Sequence, residues 1–132
     1  MFSPVIGIGA ADVIVAFEKM EAVRYSEYLK PDGIAIINDY EIPSSTISSG
    51  LAQYPEGCIE AMQEHFSCHI LNAANIASEL GNTKCMNLVL FGSLVKALNM
   101  ENIDWEEVIT QTVPEKSRAL NIAAYQAGYR AI

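Results

Sequence analysis

Val13–Asn38, VIVAFEKMEAVRYSEYLKPDGIAIIN, is the run that decides the fold. Val13–Phe17 is continuously apolar, with two valines and an isoleucine, as in a strand covered on both faces of a parallel sheet. Glu18–Lys30 then reads as a helix with Met20, Val23 and Leu29 turned inward. Glu18 and Glu21 fall in its first turn, where the helix dipole favours negative charge. Lys30-Pro31-Asp32-Gly33 is a stop and a turn. Ile34–Ile37 is a second apolar strand, closing on Asn38-Asp39. The unit is a β-α-β crossover, for which a right-handed connection is expected.

In parallel sheets, ligands meet the carboxyl ends of the strands. Here those ends carry Glu18, Asn38 and Asp39, which makes them the candidates for cofactor binding or for paired-carboxylate acid–base work. The plainer reading is a helix-start acid and a strand cap. Upstream, Gly7-Ile8-Gly9 resembles the start of a dinucleotide fingerprint. However, Asp12 occupies the place of the third glycine and no strand is expected before it, so residues 1–9 read as loop.

Downstream, the Ser-rich Glu41–Gly50 reads as an extended surface excursion, of a length more often used for contact than idle. Tyr54-Pro55-Glu56-Gly57 opens a helix with Ile59, Met62 and Phe66 on one face, and Cys68–Leu71 is a short third strand. His65 and His69 flank that junction with Cys58 and Cys68 nearby, but no metal site is expected there. Ile76 and Leu80 share a face of the next helix, Gly81 stops it, and Asn82 caps a long apolar helix carrying Met86, Leu90, Leu94 and Leu98, with Phe91 and Val95 widening the stripe. The junction is more polar than a turn requires. Asn75, Asn82, Lys84 and Asn87 gather around it and are expected to touch a partner subunit. Asp104 with Glu107 starts a further helix with Trp105, Val108 and Ile109 on its apolar side. Thr112, Pro114 and Glu115 start the last one, where Leu120, Ala123, Ala124 and Ala127 form one side and Gly128 ends the regular part.

The chain has 132 residues, 51% of them hydrophobic, enough for one domain with a core. Its net charge of −8 argues against nucleic acid or an anionic membrane as partner. No apolar run reaches the ~20 residues of a membrane span, and no secretory signal opens the sequence. Cys58, Cys68 and Cys85 lack C-x-x-C spacing and fit reduced thiols in a cytoplasmic protein. No Ser/His/Asp set, phosphate loop or metal cluster emerges. Three strands are few for a doubly wound sheet, where about five or six is usual. The expected fold is therefore a three-layer α/β/α Rossmann-like domain over residues 1–132 with a mainly parallel sheet, incomplete at its N-terminus.

Three stretches carry a family resemblance: ADVIVAFEKMEAVRYSEYLKPDGIAIINDYEIP (11–43), AANIASELGNTKCMNLVLFGSLVKAL (73–98) and VPEKSRALNIAAYQAGY (113–129). They resemble the gamma-type small subunit of 2-oxoacid:ferredoxin oxidoreductases, nearest to the beta subunit of the indolepyruvate enzyme. The Glu79-Leu80-Gly81-Asn82 run with Asn87 and Gly92 is the most specific part. Subunits of that family usually open with a strand and a G-x-G-G-Q-G turn, ahead of the part matched here. The resemblance implies an accessory, non-catalytic subunit of a complex that oxidatively decarboxylates a 2-oxoacid to an acyl-CoA and passes electrons to ferredoxin. It implies thiamine diphosphate, iron–sulfur clusters and CoA for the complex and no cofactor on this chain. Three scattered cysteines cannot supply four-Cys cluster ligation. A large thiamine-dependent subunit is the implied partner, with ferredoxin an indirect one that a surface of this charge repels. A homodimer is expected for the isolated chain. The rival reading is a free-standing α/β nucleotide- or CoA-binding protein built on Glu18, Asn38 and Asp39.

Overall fold

The computed structural model describes residues 5–132, which fall in two compact units, one ending at His69 and the other spanning Ile70–Ile132. The fold is α/β. Strand β1 (Ala11–Ala16) pairs in parallel with β2 (Leu29–Asn38), and β3 (Ser67–Leu71) completes the order β1-β2-β3. Val13, Ile14, Val15 and Ala16 lie opposite Ile34, Ala35, Ile36 and Ile37, which places Ala35, Ile36 and Ile37 in full burial. The apolar content of IAII is thus used as a central-strand run.

Between β1 and β2 the helix α1 is short, Lys19–Arg24, followed by a 3-10 turn at Ser26–Tyr28. The helix expected over Glu18–Lys30 is corrected accordingly. Leu29 is buried as expected, but as the first residue of a strand, and Val23 is turned outward. Lys30-Pro31-Asp32-Gly33 interrupts the ladder inside β2: Ala11 faces Leu29 while Val13 already faces Ile34. Pro31, read from the sequence as part of a turn, is accommodated where the ladder skips, and Asp32 takes a left-handed φ of 60° there. The excursion after β2 is not extended throughout, since Ser45–Ser48 (α2) makes one helical turn capped by Ser44. Helix α3 (Cys58–His65) packs on α1 and β2 with Cys58 and Met62 buried.

The second unit holds α4 (Ala73–Glu79), α5 (Met86–Ala97), α6 (Trp105–Thr112) and α7 (Arg118–Arg130). Asn72 caps α4, Gly81 stops it at a φ of 103°, and Asn82 caps a 3-10 turn at Thr83–Cys85 that runs into α5. The buried face of α5 is centred on Val89, Leu90, Gly92, Ser93 and Val95, so the expected face holds at Leu90 and Val95, while Met86, Phe91, Leu94 and Leu98 are only partly buried at its margin. The difference has a physical source: leucines marked the stripe, whereas the closest contact is made by the smallest residues. A Cβ on Gly92 would stand 2.0 Å from the Tyr125 carbonyl oxygen, and one on Gly128 only 1.7 Å from that of Val89. Gly128 is therefore a contact point inside α7 and not its end; the helix continues to Arg130. Ser93 Oγ donates to the Gly128 carbonyl at 2.7 Å, closing the same contact. Thr112 is the last residue of α6, its hydroxyl donating to Val108 O, and does not cap α7. Val95, Ile109 and Tyr125 form the core here, joined by Phe91, Trp105 and Val113.

Candidate functional site

Where β1 gives way to α1, Glu18 has extended backbone and caps the helix: its Oε1 accepts from the Glu21 N–H at 2.7 Å. The other oxygen accepts from the Ile42 N–H at 3.2 Å and from the Tyr54 hydroxyl. Tyr54 Oη in turn accepts from the Met20 N–H at 3.0 Å. Only 3% of Glu18 is exposed. Burial pushes its carboxyl up, but the Tyr54 hydroxyl and the amides of Glu21 and Ile42 together outweigh that and hold it below the ordinary value. Burial and the bond to Glu18 raise the Tyr54 hydroxyl strongly, so it stays a donor.

Asn38, fully buried at the end of β2, donates from Nδ2 to the Phe17 carbonyl at 3.0 Å and ties the ends of the two strands together. Asp39 points outward beside Lys19, 3.9 Å from its ammonium, while Glu41 takes the closer pairing at 2.7 Å. Three residues drawn from sequence therefore lie at one end of the sheet, yet differ in state: Glu18 and Asn38 are occupied in buried bonds and Asp39 is half exposed. Sequence reasoning passed over Lys19 and Tyr54. No local signal marks Tyr54, because its partner is far upstream and the loop between them has no fixed period.

Beside this tie lies a recess of about 510 Å³, bordered by Lys19, Asp39, Glu41, Tyr54, Cys58 and Glu60. Lys19 sits 5.5 Å from the centre of the Tyr54 ring. Burial raises the Cys58 thiol above its ordinary value, so it is no thiolate nucleophile at neutral pH. Both Glu18 oxygens are engaged in bonds that hold the fold, and its carboxyl is held below the ordinary value, which makes it a poor base. The arrangement can hold a loop or receive a group, but it presents no reacting pair.

His65 and His69 do not share a helix, for His65 ends α3 and His69 lies in β3. Among the described residues no group of three His, Cys, Asp or Glu side chains could hold a metal ion, and Cys58, Cys68 and Cys85 are free thiols. These side chains do not fit an iron–sulfur cluster, which needs four converging ligands. Asn75, Asn82, Lys84 and Asn87 are all exposed around the α4–α5 junction, where Asn82 Oδ1 accepts from the Lys84 N–H at 2.9 Å. Among the described residues no helix is long and apolar enough to cross a membrane.

The model of the pyruvate ferredoxin/flavodoxin oxidoreductase family matches residues 3–131. The chain belongs to that family. Among relatives of this family member, the indolepyruvate oxidoreductase subunit IorB of Pyrococcus horikoshii is 36% identical over 99% of this chain and 68% of its own length. The same subunit of Thermococcus kodakarensis is 35% identical with the same coverage. Of solved structures, the gamma subunit of a keto/oxoacid ferredoxin oxidoreductase from Geobacter sulfurreducens matches with a TM-score of 0.68 at 21% identity. That match covers 93% of this chain and 64% of the other, and it establishes the shared fold.

Proposed function

We propose that this chain is an accessory, non-catalytic subunit of a 2-oxoacid:ferredoxin oxidoreductase of the indolepyruvate type, with residues 1–132 forming one gamma-type domain. The observation that carries this reading is the family match along nearly the whole chain, including two IorB relatives above one-third identity. The chemistry of the described residues agrees with it. The buried acid is spent on loop bonds, the recess thiol is protonated, and no cluster ligands converge. Thiamine diphosphate, the iron–sulfur clusters and the oxoacid pocket then belong to a large partner subunit, and ferredoxin docks away from this acidic chain.

A free-standing nucleotide- or CoA-binding role has less support. The recess at the strand ends presents Asp39, Glu41, Glu56 and Glu60 against the single cation Lys19, a charge balance that repels phosphate. Co-expression with the thiamine-dependent large subunit from the same genome tests the proposal. The tagged small chain should recover the large one, and the pair should oxidise indolepyruvate with CoA and ferredoxin. Recovery of the small chain alone, together with a thermal shift on adding CoA or ATP, would overturn it.

A further inference from the structure

On the second unit, the residues entering α6 and the middle of α7 enclose a recess of about 380 Å³ that the proposed function leaves unused. Glu101, Asp104 and Glu106 stand around it. All three carboxylates also accept hydrogen bonds within the fold. Glu101 Oε1 accepts from the Tyr129 hydroxyl at 2.8 Å, Asp104 Oδ1 from the Glu107 N–H at 3.1 Å, and Glu106 Oε1 from the Gln126 side-chain amide. None of the three forms an ion pair with a described Lys or Arg, and no basic residue lines the recess. Lys96, the cation that acts on Glu101, is engaged over the Tyr129 ring at 4.7 Å.

Tyr125 lies beneath them with 9% of its surface exposed. Its ring is held by Phe91 and Tyr129, with centres 5.9 and 6.5 Å away. Its hydroxyl has no hydrogen-bond partner among the described residues and is not sealed in the interior; Tyr125 lines this recess and a neighbouring one bordered by Gln126, Tyr129 and Arg130. Burial first, then Glu106, Glu101 and Asp104, push that hydroxyl up, so it is neutral and its oxygen can accept. The start of α6 explains Asp104 and Glu106, since a helix N-terminus favours acids. It explains neither Glu101 nor the open hydroxyl. Among the described residues these acids form no group that could hold a metal ion.

We infer that this recess takes the guanidinium of an arginine on a partner polypeptide. The three carboxylates supply charge, Tyr125 Oη supplies a neutral acceptor, and Trp105 with Ile103 walls the alkyl stem. A guanidinium presents five N–H donors in one plane and stacks on aromatic rings, whereas a lysine ammonium is a single point of charge. The site stands independently of the oxidoreductase assignment.

Trp105 is the only tryptophan in the chain, so its fluorescence reports the recess directly. Titration of the full chain with N-acetyl-arginine amide at low salt should give a saturable change that N-acetyl-citrulline amide, the neutral isostere, does not. The E101Q/E106Q double variant should weaken the response by about five-fold with circular dichroism unchanged. Tyr125→Phe, which keeps the ring, should weaken it by roughly two-fold or more. An equal response to citrulline, or an undiminished one in the double variant, would overturn the inference. A stronger response to free L-arginine than to the capped amide would reassign the recess to a small molecule and overturn the partner.

Discussion

Glu18 is an acid placed where an acid is costly unless its oxygens are hydrogen-bonded, and here both are engaged, by two amides and a phenol. The carboxyl titrates lower folded than unfolded. Its stabilisation is therefore complete above the ordinary carboxylate value of 4.5 and is lost as pH falls through the depressed folded value. Glu18→Gln is expected to cost about 1–3 kcal/mol at neutral pH, because one carboxylate oxygen becomes an NH2 group that cannot accept, which leaves either the Glu21 N–H or the Ile42 and Tyr54 donors unpaired. It should also flatten the acid limb of the stability profile, as followed by urea unfolding at stepped pH. An unaltered acid limb would mean that Glu18 has no part in the acid sensitivity. Gly128 makes the opposite kind of demand. In an exposed helix, alanine there would gain up to about 1 kcal/mol in propensity. Here the added carbon meets the Val89 backbone at 1.7 Å, and backbone cannot swing aside. Gly128→Ala is expected to lose ~2 kcal/mol net, read as a lower urea midpoint.

At the scale of elements, the sequence was most legible where chemistry is local. The apolar runs of β1 and β2, the glycine stop after α4 and the acidic cap of α6 follow from neighbours within a few residues. It misled where the deciding partner is remote. The long helix read over Glu18–Lys30 fails because Leu29 is drawn into the ladder opposite Ala11. Gly128 looks like a stop until the opposing helix α5 is in place. Tyr54 acquires its role only when the excursion folds back onto Glu18. The polar junction between α4 and α5 is local and legible, and a contact role for it is a proposal that the following variant tests. Asn87 is exposed on the first turn of α5, so Asn87→Leu should change stability by less than ~0.5 kcal/mol while weakening capture of the large subunit in a pull-down. Loss of folding instead would return Asn87 to a structural role.

For the molecule as a whole, charge and edges set its associations. With a net charge of −8, the chain attracts cationic surfaces and repels acidic ones, as the proposed partner arginine and the proposed docking of ferredoxin elsewhere both require. Strand β1 ends the described sheet order, and Phe17 and Tyr25 are exposed beside it. An apolar outer strand of this kind is a surface for self-association, and the isolated chain is expected to be a homodimer. Light scattering coupled to gel filtration checks this, with a monomer mass at micromolar concentration as the adverse result.

The glycine-to-carbonyl contact of α5 with α7 also sets a clock. Two helices that meet backbone to backbone, with Ser93 bonded across at 2.7 Å, cannot open one at a time without exposing bare carbonyls of the other. The amides around Val89–Ser93 and Ala124–Gly128 should therefore take up deuterium last and at one common rate. That rate would serve as an internal gauge of the second unit's integrity, readable even within a large assembly.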